Sequence, residues 1–183
     1  MTDHVDTLDE LVLQLGEPDT RPLAMEALLA AGSEGIIALR QGLKDPDPVV
    51  RRFAARALDH SVLDRETVTA LIELIRVETI PKVRSAAVHI LACAGCKPKG
   101  CSLENDVVGV LIDVLLNDPS AEVRRQPLDG LGVAEPEERV LKALQVATED
   151  KAKKIRQKAV NYLSIQQARV RKQRSDAANR PSR

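Results

Sequence analysis

Asp45-Pro46-Asp47-Pro48-Val49-Val50-Arg51-Arg52-Phe53-Ala54-Ala55-Arg56-Ala57-Leu58 decides the reading, because it recurs. An acid followed six residues later by an Arg, itself preceded by a β-branched residue, stands at Asp45/Val50-Arg51, Glu78/Val83-Arg84, Asp118/Val123-Arg124 and Asp150/Ile155-Arg156. A blurred copy lies earlier, at Glu17-Pro18-Asp19-Thr20-Arg21-Pro22-Leu23-Ala24. The equivalent Arg residues are 30, 33, 40 and 32 positions apart. A period of that length marks a repeat array.

Each copy opens a helix. Asp47 caps it and Pro48 takes the first position, where a missing N–H costs nothing. Val50, Ala54, Ala57 and Leu58 then have the spacing of a buried helical face. Val83, Ala87, Ile90 and Leu91 repeat it, as do Val123, Pro127, Gly130 and Leu131, and Ile155, Ala159, Tyr162 and Leu163. A partner helix precedes each of these. Thr7 and Glu10 have capping-box spacing, and Leu8, Leu11, Val12 and Leu15 share a face. Asp19 or Thr20 caps a helix running to about Ala31, with Leu23, Ala27 and Leu28 inward and Gly32 at its end. Ile36, Leu39 and Leu43 stripe the next, which stops at Asp45-Pro46. Three more first helices are expected over Arg65 to Glu78, about Asn105 to Asn117, and about Pro136 to Thr148. The second helices follow at Pro81 to about Gly95, Ser120 to about Gly132, and Lys151 to roughly Arg171.

Five pairs result, with no strand signal. One pair cannot bury its own apolar face, whereas stacked pairs can. The expected fold is all-α, a right-handed α-α superhelix (α-solenoid) of about five helix pairs. The array is assigned to residues 1–172, and 173–183 to a basic, disordered tail. Pro127 removes a backbone hydrogen bond inside its helix, which should kink or split there and could make the fourth pair a hinge.

This pattern resembles the HEAT repeat. It is similar to the short bacterial variety of phycobilisome-lyase-like HEAT proteins, on the strength of Asp45-Pro46 with Val49-Val50-Arg51, Asp118-Pro119 with Val123-Arg124, and the Ala-rich second helices. The resemblance covers about residues 7–168. It implies a structural ladder, in which each acid meets an Arg of a neighbouring pair, so Arg51, Arg84, Arg124 and Arg156 are given no ligand. It also implies that the second helices line a concave face. Their outward residues are then the partner-binding candidates: Arg52, Arg56, Ser85, His89, Arg125, Asp129, Gln157 and Asn161.

Composition narrows the function classes. Phe53 and Tyr162 are the only aromatics, so the core is aliphatic and a pigment would lack aromatic flanks. Residues 1–150 carry a net charge of −10 and residues 151–183 one of +10. The basic end is a candidate for nucleic-acid contact, although no aromatics interleave its charges for base stacking. His89, Cys93, Cys96 and Cys101 offer an imidazole and three thiols, a set that tetrahedral zinc accepts, but their spacing matches no standard zinc motif. No hydrolase turn, phosphate loop or His-Glu-x-x-His is present, and no cofactor is expected. The N-terminus lacks signal-peptide order and no apolar run spans a bilayer, so a cytoplasmic location is expected. The reading is a non-enzymatic scaffold or adaptor for a protein or peptide. The alternatives are a lyase-like or chaperone role, or nucleic-acid contact through residues 151–183. Oligomeric state is left open.

Overall fold

A computed structural model describes residues 6–59, 61, 63–93 and 107–178. Every regular element among them is a helix. These are α1 (Leu8–Gln14), α2 (Arg21–Ala30), α3 (Ser33–Gly42), α4 (Pro48–Ala57), α5 (Arg65–Val77), α6 (Pro81–Ala92), α7 (Val107–Asn117), α8 (Ala121–Arg125), α9 (Pro127–Val133), α10 (Glu138–Ala147) and α11 (Lys153–Ala178). The fold is all-α and built of helix pairs. It divides into two compact units, one holding the described residues up to Leu91 and one holding the rest.

In the first unit α1 packs on α2 and α3, and α3 packs on α4. The Thr7–Glu10 capping box forms as the spacing predicts. Asp47 caps α4 through Val49 N–H at 2.8 Å, and Pro48 stands at the first position. Val50, Ala54, Ala57 and Leu58 are all buried, as are Val83, Ala87, Ile90 and Leu91. Gly32 adopts φ +61°, the left-handed region that its missing Cβ permits. Three residues on, a Cβ at Gly35 would overlap the Leu28 carbonyl oxygen, so α2 and α3 meet closer than any other residue allows.

Two expectations fail on α2. Leu23 is 70% exposed, and Ala24 and Leu28 are the buried residues. Leu28 is inward as expected, but the buried face continues through Ala24 and not through Leu23. Thr20 does not cap it: its backbone is already helical, and its hydroxyl donates to the Gln14 carbonyl at 3.2 Å.

In the second unit α7 packs on α8, α9 and α10, and α11 packs on α8, α9 and α10. Pro127 splits the expected helix into α8 and α9, the outcome its missing N–H demands. The glycines that follow serve close packing. A Cβ at Gly130 would stand 2.7 Å from the Ala92 carbonyl oxygen, and one at Gly132 would overlap the Tyr162 ring. The last helix continues past Arg171 to Ala178, and residues 171–177 are exposed throughout. Among the largest fully buried side chains is one polar group, Gln166. Its Nε2 donates to the carbonyls of Leu131, Gly132 and Ala134 at 2.9–3.1 Å. That donor satisfies acceptors which the end of α9 leaves without intrahelical partners.

Candidate interaction face

The Arg of each copy clasps its own turn. Arg51 Nη1 donates to the Asp45 and Pro46 carbonyls, Arg84 Nη1 to those of Glu78 and Thr79, Arg124 Nη1 to Asp118 and Pro119, and Arg156 Nη1 to Asp150 and Lys151. Arg21 does the same in the first copy, through Nε to Leu15 and Nη2 to Gly16. The position six before Arg21 is Leu15, so the copy read as starting at Glu17 has a leucine where the later copies have the acid.

The carboxylates complete the ladder. Arg51 Nε lies 2.7 Å from Glu78 Oε2, and Arg124 Nε lies 2.8 Å from Asp150 Oδ2. The acids also accept a backbone N–H two residues on: Asp45 from Asp47, Glu78 from Ile80, Asp118 from Ser120 and Asp150 from Ala152. Burial pushes the Glu78 carboxyl up. The Arg51 hydrogen bond, the Ile80 N–H and the Arg51 charge together outweigh it and hold the group below the usual carboxylate range. For Asp150 the Arg124 hydrogen bond is the largest influence and lowers it against burial. These charges are consumed inside the fold.

The residues expected to face a partner are distributed unevenly. On α4, Arg56 is exposed and Arg52 half-buried. On α6, Ser85 is 6% exposed and does not form part of an open surface. His89 is half-buried, with Nε2 3.4 Å from Asp59 Oδ2. In the second unit Arg125, Asp129, Gln157 and Asn161 are exposed. Asp129 is held from α11, by Lys158 Nζ at 2.7 Å and the Tyr162 hydroxyl at 2.5 Å. Burial raises the Asp129 carboxyl, and the hydrogen bonds from Lys158 and Tyr162 override it downward. In return, the Asp129 hydrogen bond, then burial, push the Tyr162 phenol up to about 12. Cys93 is half-buried, and Cys96 and Cys101 lie outside the described residues.

One cluster was not legible in the repeat. Phe53 carries three guanidinium groups: Arg21 at 3.8 Å from the ring centroid, Arg52 at 5.2 Å and Arg56 at 5.4 Å. The only signal was that Phe53 is one of two aromatics in the chain. Its meeting with Arg21 joins α4 to the start of α2, and no local pattern encodes that.

Residues 36–98 match the HEAT repeats family. No curated protein matches the sequence significantly. Among solved structures, the chain is similar to one from the complex of CpcE and CpcF of phycocyanin lyase from Nostoc sp. PCC7120. The TM-score is 0.68 at 19% identity, over 85% of this chain and 96% of that one. It is also similar to an engineered protein, with TM-score 0.60 at 21% identity, over 88% and 79% respectively. At these identities the likeness carries the fold: helix pairs of the HEAT kind. No helix among the described residues is long and apolar enough to cross a membrane.

Proposed function

We propose that the HEAT repeats of this chain serve as a non-enzymatic scaffold or adaptor, binding a protein or peptide through the outward side chains of the second helices. One observation carries this reading. The repeated Arg and acid residues, which supply most of the arrayed functional groups, bond one another and their own turns. The polar residues of α4, α8 and α11 outside the ladder are left to meet other molecules: half-buried Arg52 and exposed Arg56, then exposed Arg125, Gln157 and Asn161. Such surfaces suit a polar, protein-like partner. The similar Nostoc chain is found in a complex of CpcE and CpcF, and that pairing supports a protein partner.

Cross-linking and capture from a native lysate test the reading. Arg52→Glu/Arg56→Glu in the first unit and Arg125→Glu/Asn161→Glu in the second should each lose cross-linked partner relative to the parent chain. Identical capture by the parent and both variants would remove these helices from the binding face.

A further inference from the structure

The charge arrangement around Phe53 departs from the rest of the ladder. Arg51 has Glu78, and Arg124 has Asp150. The acid of the next copy after Arg21 is Asp45, but Arg21 spends Nε and Nη2 on the Leu15 and Gly16 carbonyls. No carboxylate oxygen of the described residues lies within 4 Å of a nitrogen of Arg21, Arg52 or Arg56. Arg21 is fixed through Nε and Nη2 by two backbone carbonyls, and its Nη1 has no partner among the described residues. Arg52 and Arg56 stand one helical turn apart, where like charges oppose each other.

We propose that Arg21, Arg52 and Arg56, gathered on Phe53, bind the side-chain carboxylates of an acidic segment of a protein partner. Guanidinium forks match carboxylates in a bidentate way that an ammonium cannot. The aromatic ring holds the cations in place by cation–π attraction, so little side-chain freedom is left to lose on binding. An anion among the three also relieves their mutual repulsion. The arrangement disfavours nucleic acid: guanidiniums already occupy the ring, and residues 1–150 carry a net −10 that repels a long polyanion.

This inference rests on the scaffold reading and names the partner's chemistry at one part of the face. The test is fluorescence anisotropy on the full chain with a fluorescein-labelled peptide of alternating Glu and Gly. The same peptide with Gln for Glu and a labelled single-stranded oligo-dT serve as the other arms. The Glu peptide should bind, weaken on going from about 50 to about 200 mM salt, and lose about tenfold or more in Arg52→Ala/Arg56→Ala. Arg52→Lys/Arg56→Lys should retain part of the affinity, and the Gln peptide should not bind. Failure of the Glu peptide to bind, equal affinity of the Ala variant, or tighter oligo-dT binding through the same residues would each overturn the proposal. If the Ala variant melts lower, the Glu-versus-Gln comparison on the parent chain and the Lys variant decide. If the peptide does not bind while Arg125→Glu/Asn161→Glu still loses a cross-linked partner, the scaffold reading stands and this one alone falls.

Discussion

Arg51 and Glu78 are 27 positions apart, yet one guanidinium ties them together while also closing the turn from which it springs. Nε takes the Glu78 carboxylate and Nη1 takes two carbonyls, so the planar fork is used on both edges. Glu78 is buried, with a side chain 2% exposed. Removing the cation leaves an uncompensated charge in the fold. Arg51→Gln should cost about 2–4 kcal/mol. Arg51→Lys should recover only part of that, because one ammonium cannot span both sets of acceptors. Urea unfolding measures both, and a Lys variant as stable as the parent would show that point charge alone holds the rung.

The same carboxylates set the acid limit of stability. Glu78, Asp150 and Asp129 titrate below their ordinary values of 4.5 for Glu and 3.8 for Asp. A carboxyl depressed in the folded state favours folding at higher pH. That contribution is lost as pH falls from the ordinary carboxylate range through the folded values. The urea midpoint should hold between pH 7 and about pH 5 and fall steeply below about pH 4. Arg51→Gln should flatten its share of the fall, since the depression of Glu78 depends on Arg51. An unchanged acid slope in that variant would locate the titrating groups elsewhere.

Gly132 lies beneath the Tyr162 ring, and any Cβ there overlaps it. Gly132→Ala gains helix propensity but must displace a half-buried aromatic that is itself bonded to Asp129. The overpacking term should win, at about 1–3 kcal/mol destabilising. With Tyr162→Ala already present, the glycine substitution should become neutral or favourable, a coupling that a double-mutant cycle reads directly. Additive effects would mean that the ring is not what the glycine accommodates.

How much of this was legible follows from how local each cause is. The buried set Val50, Ala54, Ala57 and Leu58 and the split at Pro127 depend on spacing and one covalent feature, and both were readable. So were the rungs Arg51–Glu78 and Arg124–Asp150, because a period places acid and Arg without coordinates, whereas the expected rung from Arg21 to Asp45 is not formed. The phase of α2 was not readable. Over ten residues Leu23 and Ala24 are equally good inward choices, and packing against α1 and α3 decides between them. Ser85 was expected on the outward side of its helix, yet it is 6% exposed, because burial depends on neighbours that the repeat pattern does not specify. Gln166 and the Phe53 cluster were hidden for a further reason. Their partners lie 32–35 positions away in the first case and on another helix in the second.

Gln166 is a fully buried polar side chain whose amide oxygen has no partner among the described residues and whose amide nitrogen is bonded. Its Nε2 serves three carbonyls at the end of α9. Gln166→Leu fits the volume but takes that donor from the buried Leu131 and Gly132 carbonyls, while Ala134 keeps Arg169. The expected cost is about 1–3 kcal/mol, whereas the same change at exposed Gln157 should stay within about 0.5 kcal/mol. Thermal unfolding of the two variants side by side separates a specific bond from a general effect of removing Gln from α11.

The end of α11 divides into a part that is bonded and a part that is not. Arg169 Nη1 donates to the Val133 and Ala134 carbonyls at 3.1 and 2.6 Å, whereas residues 171–177 are exposed. A chain ending at Val170 should therefore melt within a few degrees of the full chain, while one ending at Ala168 should lose about 1.5–3 kcal/mol with Arg169. The longer truncation product also tests the basic end for function. It lacks Arg171, Lys172, Arg174, Arg180 and Arg183 yet keeps the fold. If that end contacts nucleic acid, salt-dependent gel shifts of the full chain should vanish in this truncation and not in Arg52→Ala/Arg56→Ala. Shifts that survive the cut would turn attention to Lys153 and Lys154 in the first turn of α11, where cations oppose the helix dipole and an anion would relieve them.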